Sequence, residues 1–184
     1  MAPVSFQILS DLHLETHPSY DSFTFAQTAA NLALLGDIGH VANNQLIIFL
    51  QAYQNRYSVV FFVLGNHEPY HMSFKTAKLE MSAFQARIDK RSSTMGKHVF
   101  LDQTRYDLTS DLTVLGCTLF SRISPKQDFA VESRMLDFRD ILRWTTLVIA
   151  VPSLMKMGKL SCRIKTYLNP EKAFDAERVF RVGE

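Results

Sequence analysis

Asp11 and His13 come directly after a short apolar run, in the stretch "FQILSDLHLE" that spans residues 6–15. Side chains two residues apart in an extended chain point to the same side. A carboxylate oxygen and an imidazole nitrogen aimed the same way are suited to binding one metal ion. If the extended geometry continues past the strand, these two residues form a pair of metal ligands.

Two later apolar runs end in residues of the same kind. "NLALLGD" ends in Asp37, and "SVVFFVLGN" ends in Asn66, which His67 follows at once. A carboxylate can bridge two cations about 4 Å apart, as two-metal hydrolysis requires, and Asn66 offers a neutral oxygen ligand. His67 projects elsewhere than its neighbour, which favours an acid or a phosphate contact. Oxygen and nitrogen ligands without a thiolate favour Mn, Fe or Zn over Ca.

The elements that must position these side chains follow from the apolar pattern. Short apolar, β-branched runs predict strands, and apolar residues at helical spacing predict helices. The predicted strands lie at residues 4–9, 31–37, 58–66 and 98–102, with two more around a turn within 105–121; the predicted helices lie at 43–57 and 73–90. Alternation of strands and helices predicts an α/β fold with parallel pairing. In such sheets ligands bind at the carboxyl ends of the strands, where the three polar endings would meet.

The three endings "DLH", "GDIG" and "GNHE" together resemble the first three motifs of the calcineurin-like metallophosphoesterase family, D-x-H, G-D-x and G-N-H-[ED]. The resemblance implies an α/β fold with a two-sheet β sandwich flanked by helices and a dinuclear metal centre. It implies hydrolysis of a phosphomonoester or phosphodiester by a metal-bound water. By the same resemblance Asp11 and His13 bind the first metal, Asp37 bridges, Asn66 binds the second, and His67 is the acid near the leaving group.

The sequence departs from this family at two places. "GDIGHV" lacks the additional Asp and Arg of the phosphoprotein phosphatases, so a protein Ser/Thr phosphatase is not expected. No histidine follows His98, so the family's C-terminal strand-end His and its Gly-His-x-His loop are absent. The resemblance covers residues 1–145 and predicts a domain that is incomplete at its C-terminus. Residues 146–184, with seven Lys and Arg against four Asp and Glu, form a divergent tail.

Three functions therefore remain open: an active phosphoesterase, a catalytically inactive truncated or variant member of the same fold, and a flavodoxin-like binding module whose strand ends merely resemble the motifs. His17, His40 and His71 lie on the side of the motifs and could replace missing ligands, although exposed loop histidines are the simpler interpretation. Glu68 is interpreted as a structural carboxylate that binds nearby backbone. His98 and Cys117, both in predicted strands, are interpreted as uninvolved.

The composition of the chain limits the classes of partner and the cellular location that we expect. The 184 residues are 47% hydrophobic with a net charge of +2, which is typical of a globular protein and gives no reason to expect nucleic acid. The N-terminus does not resemble a signal peptide, no run approaches the roughly 20 apolar residues of a membrane helix, and two cysteines suit a reducing compartment, so a cytoplasmic location is expected. The expected substrate is a phosphoester. The missing strands predict a partly covered sheet that favours oligomers or aggregation.

Overall fold

Four parallel strands form the first sheet in a computed structural model that describes residues 4–16, 19–91, 96–122, 126–142 and 157–167. The strands are β1 (Phe6–Leu9), β2 (Asn31–Leu35), β3 (Val59–Val63) and β4 (Lys97–Phe100), in the order β1-β2-β3-β4. Their registers are aligned, with Leu34 opposite both Leu9 and Phe62, and Phe62 opposite Phe100. The predicted parallel pairing is confirmed, and the carboxyl ends of the strands share one edge.

Two amphipathic helices cover one face of this sheet. α1 (Asn44–Gln54) begins after Asn43, whose side chain accepts a hydrogen bond from Gln45 N, and α2 (Phe74–Asp89) begins after Ser73, which caps Thr76 N. Both caps satisfy backbone N–H groups that a helix cannot pair internally. The apolar faces of the helices pack with alternate strand side chains into one core, which includes Leu34, Phe62, Leu50, Met81 and Phe84.

A smaller antiparallel sheet contacts the other face. Its strands are β5 (Thr104–Asp107), β6 (Thr113–Arg122) and β7 (Met157–Tyr167), in that order. A second core contains Phe61 and Val99 of the parallel sheet together with Val114 of β6, and the Tyr106 ring of β5 lies edge-on to Phe61 at 5.6 Å. The molecule is therefore mixed α/β. Strand β7 falls in the predicted divergent tail and was not expected from the sequence.

The segment from 126 to 142 adds two short helices, α3 (Asp128–Arg134) and α4 (Asp137–Asp140), which the apolar pattern does not predict. Ile141 is buried in the first core. The His71 N–H donates to Asp140 O at 2.8 Å, and the Leu142 N–H donates to Met72 O at 3.0 Å. These contacts attach α4 to the loop that follows β3.

The first crossover differs from the later ones. Residues 10–16 and 19–30 contain no helix, so strands alternate with helices only from β2 to β4. Gln7 holds this loop, because its Nε2 donates to Ala26 O and its Oε1 accepts from Thr28 N. No helix in the described part of the chain is long and apolar enough to cross a bilayer.

Candidate metal centre

The loop after β1 continues alongside the loop after β2. Asp11 N donates to Gly36 O at 3.1 Å, His13 N to Asp37 O at 2.9 Å, and Leu14 N to Ile38 O at 3.0 Å. Leu14 is buried in the core with 1% of its surface exposed. The positive φ angles of Asp11 and His13 show that the extended geometry of β1 does not continue into this loop, so its backbone hydrogen bonds to residues 36–38, and not strand alternation, place the two side chains.

Asp11, His13 and Asp37 converge at the carboxyl edge of the sheet. One ligand atom from each lies within 4.8 Å of the others. Two carboxylates and an imidazole in this arrangement suit a divalent cation that accepts mixed oxygen and nitrogen ligands, such as Mn, Fe or Zn. The sequence therefore predicted residues that the fold brings together, and their roles as ligands stay predictions.

These three residues also share an unusual backbone conformation. Their φ angles are positive, at 55° for Asp11, 46° for His13 and 54° for Asp37. The left-handed region costs an L-residue on the order of 1–2 kcal/mol, although Asp and His occur there more often than most side chains. Strain of this kind concentrates at functional sites, because the surrounding structure must hold it in place.

Gly65 permits the loop after β3 to approach Asp37. A Cβ on this glycine would overlap the Asp37 carboxylate and lie 2.6 Å from its backbone nitrogen. The His67 N–H donates to Asp37 Oδ1 at 3.0 Å, so residues on both sides of Asn66 contact Asp37. The third predicted motif therefore lies beside the second.

The amide of Asn66 is oriented by a residue that the sequence analysis missed. Asn66 Nδ2 donates to Asp137 Oδ1 at 2.9 Å, and the Tyr70 hydroxyl donates to the same oxygen at 2.6 Å. Asp137 is 3% exposed. Because the nitrogen end of the amide faces Asp137, the carbonyl oxygen is the end that can face a cation. Asp137 lies 71 residues further along the chain, and no local pattern connects the two.

Glu68 binds backbone, as predicted. Its two oxygens accept hydrogen bonds from the N–H groups of Asp37, Ile38 and Gly65 at 2.6–3.0 Å. Complete burial, together with the nearby charge of Asp37, raises the pKa of Glu68 to about 7, and the three backbone hydrogen bonds oppose this rise. The carboxylate fastens the loops after β2 and β3 to each other.

Glu15 is a second residue that the sequence analysis missed. Its Oε1 lies 2.7 Å from His67 Nδ1, 3.2 Å from His13 Nδ1 and 3.8 Å from His40 Nε2. Burial acts to raise the pKa of this carboxyl, but hydrogen bonds from His67, its own backbone and His13, with the charge of His40, lower it to about 2. The available signal was the spacing D-x-H-x-E, which extends the alternation of Asp11 and His13 by one step.

The His67 ring is held by neighbours on several sides. It stacks on Tyr70 with centroids 4.5 Å apart and lies edge-on to His13 at 4.3 Å. Burial acts to lower the pKa of His67, but the hydrogen bond to Glu15 and the charges of Asp37, Glu15 and Glu68 raise it above its ordinary value. This environment favours the protonated ring that a general acid needs.

The remaining histidines differ in their exposure. His71 is exposed, as interpreted, whereas His40 is not an exposed loop histidine: its side chain is 16% exposed and close to Glu15. That interpretation of His40 was wrong, because the loop after β2 folds back over the site and Tyr20 accepts the His40 N–H. His17 lies outside the described residues. His98 and Cys117 are buried in β4 and β6.

Comparison with known proteins adds one relative. No family model and no solved structure matches the chain. A protein of Acanthamoeba polyphaga mimivirus, named Uncharacterized protein L509, is 26% identical over 140 residues. The alignment covers 71% of the chain and 49% of the viral protein, so the chain spans about half the length of this relative. The name of the relative assigns no activity.

Proposed function

We propose that the chain is a metal-dependent phosphoesterase that hydrolyses a phosphomonoester or phosphodiester. The observation that carries the proposal is the convergence of Asp11, His13 and Asp37, all three in the left-handed backbone region, within 4.8 Å at the carboxyl edge of a parallel sheet. Functional sites are expected at this edge, and the ligand set suits Mn, Fe or Zn.

The fold supports a metallophosphoesterase-like sandwich as the finer architecture. The two sheets share a core, and α1 and α2 cover the opposite face of the parallel sheet. The C-terminal histidine motifs of that family are absent from the sequence. The proposed location is the cytoplasm, since two cysteines in 184 residues make no disulfide framework.

Each residue of the site has its own role in the proposed reaction. A bound divalent cation would polarise the phosphate and acidify water. Asp11, His13 and Asp37 would hold that cation, and Asn66, whose amide nitrogen donates to Asp137, would offer its carbonyl oxygen to a second one. His67 Nδ1 is held by Glu15, so Nε2 is the ring atom left to give a proton to the leaving oxygen.

The absence of the C-terminal histidines predicts a weak second cation site. Asp37 and Asn66 offer it only one charged ligand and one neutral ligand, whereas Asp11, His13 and Asp37 give the first site three. We therefore expect about one weakly bound cation per chain and slow turnover. An inactive variant of the same fold is the second candidate, favoured by the same missing histidines.

The test is manganese titration combined with turnover of p-nitrophenyl phosphate and bis-p-nitrophenyl phosphate. Asp37→Asn should lower turnover on the order of 10²-fold or more, because the charge stabilisation that a cation supplies is worth several kcal/mol. The matched control is Asp111→Asn, an identical change in the exposed turn between β5 and β6. Manganese binding without turnover would favour the inactive variant, and turnover unaffected by Asp37→Asn would overturn the proposed site.

A further inference from the structure

Glu15 lies where two functional histidines meet. Its side chain is 6% exposed, and its Oε1 faces Nδ1 of His67 at 2.7 Å and Nδ1 of His13 at 3.2 Å. An ionised carboxylate can only accept hydrogen bonds, so both rings donate through Nδ1. Both Nε2 atoms are then the ones left for a cation or a substrate.

The distances favour hydrogen bonds over a shared cation at this point. His13, Glu15 and His67 also form a group that could hold a metal ion. Two ligand atoms about 2.1 Å from one tetrahedral cation stay roughly 3.4 Å apart. The 2.7 Å contact between Glu15 and His67 is shorter than that and has the length of a charge-assisted N–H···O bond.

We propose that Glu15 is a positioning residue that orients the metal ligand His13 and the acid His67 at once, through Nδ1 of each. The role of Glu15 in orienting His67 rests on the proposed phosphoesterase function. Its role in orienting His13 rests on cation binding alone. Metal-bound histidines commonly donate their second N–H to a carboxylate, and loss of such a partner typically costs 10–100-fold in metal affinity.

A second observation supports a role beyond local structure. Glu15 Oε2 is buried and has no hydrogen-bond partner among the described residues. A buried unpaired oxygen costs free energy, and the contacts of Oε1 with His67 and His13 are the interactions that offset this cost. Leu14 fixes the backbone on one side, and the Thr16 N–H and hydroxyl both donate to His13 O on the other. The backbone on both sides of Glu15 is thus held in place.

The experiment compares Glu15→Ala and Glu15→Gln with the unmodified chain by two measurements. The first is manganese affinity by calorimetry, expected to weaken 10–100-fold in Glu15→Ala and less in Glu15→Gln, which keeps an acceptor oxygen. The second is turnover of phenyl phosphate against p-nitrophenyl phosphate. Phenolate is the poorer leaving group and depends more on protonation, so Glu15→Ala should lower phenyl phosphate turnover on the order of 10²-fold or more and p-nitrophenyl phosphate turnover by clearly less.

Glu80→Ala, on the exposed side of α2, is the matched control and should change neither readout. If Glu15→Ala lowers both substrates equally and leaves manganese affinity unchanged, the positioning role is overturned. If the number of bound cations falls by one instead, Glu15 is a ligand and the inference is wrong. If the unmodified chain binds manganese but does not hydrolyse the substrates, the proposed phosphoesterase function is wrong. The contact of Glu15 with His13 is then still tested by the manganese affinity of the Glu15 variants.

Discussion

The His98 imidazole is enclosed among aromatic side chains of the first core. It is 1% exposed, lies edge-on to the Phe84 ring at 4.7 Å and near Phe62 at 6.0 Å, and neither nitrogen has a hydrogen bond among the described residues. Burial lowers the pKa of His98 to about 3. The ring therefore stays neutral in the folded protein at pH values where the same ring is protonated in the unfolded chain.

This difference makes the free energy of unfolding depend on pH. Between pH 6.5 and about 3 the unfolded chain binds one more proton at this residue than the folded chain. Stability from the neutral His98 is present above pH 6.5 and is lost as the pH falls. The loss approaches about 1.4 kcal/mol per pH unit. We expect the free energy of unfolding, measured with urea between pH 7 and pH 4, to depend less steeply on pH in His98→Phe than in the unmodified chain.

Met81→Leu, in the same core, is the control because it changes packing without a titrating group. The His98 assignment fails if the slopes of the His98→Phe variant and the unmodified chain coincide over this range.

The site residues differ in how far the sequence could predict them. Asp11, His13 and Asp37 each follow an apolar run, and the alignment of parallel strands brings such endings together. Glu15 lies two residues after the left-handed His13, and its position depends on a turn that composition does not specify. Its contact with His67 spans 52 residues, so it becomes visible only once the loops are placed.

Helix α4 has only four residues, and its contribution is one buried carboxylate. Asp137 accepts hydrogen bonds from Asn66 and from Tyr70 across the loop after β3. Removing the acceptor leaves the buried Tyr70 hydroxyl and the half-buried Asn66 amide unpaired, which costs on the order of 1–3 kcal/mol. We expect Asp137→Ala to lower the unfolding free energy by that amount. Under the proposed function, it should also reduce phosphoesterase turnover about 10–100-fold, since Asn66 would lose its orientation.

Asp140→Ala is the control within the same helix, because Asp140 pairs with the exposed Arg139. Chemical unfolding and turnover of bis-p-nitrophenyl phosphate measure the two effects. Equal losses in the two variants would show that α4 acts only through its general packing.

The elements were predictable where one pattern covers a whole segment. β3 is five buried residues in succession, and α2 repeats its apolar residues over 16 positions, so both were expected within two or three residues of their ends. α3 and α4 are too short for a helical period to appear. β7 pairs with β6 from more than 30 residues away, and a strand whose partner is so distant carries no local turn signal.

At the scale of the whole molecule, strand β1 forms an edge of the parallel sheet. Within the described residues β1 pairs only with β2, and Ile8 on β1 is 62% exposed. Unpaired edges with apolar side chains favour association with another strand. We expect concentration-dependent oligomers by sedimentation velocity, and Ile8→Lys should shift the population to monomer because a charge at an edge opposes strand pairing.

Leu79→Lys on α2, where the leucine is 60% exposed and lies outside any strand, is the control and should leave the association as it was. A monomer at every concentration tested would contradict the expected association through β1.

The left-handed conformations at Asp11, His13 and Asp37 link the proposed metal centre to the proportion of chains that are folded. Folding must hold all three strained residues, so the strain lowers the free energy of unfolding of the metal-free protein. A cation that needs the three side chains together binds only the folded chain, and at 100 times its dissociation constant it adds about 2.7 kcal/mol to stability. Under the proposed function, the free cation level of the surroundings would therefore control how long the chain survives proteolysis.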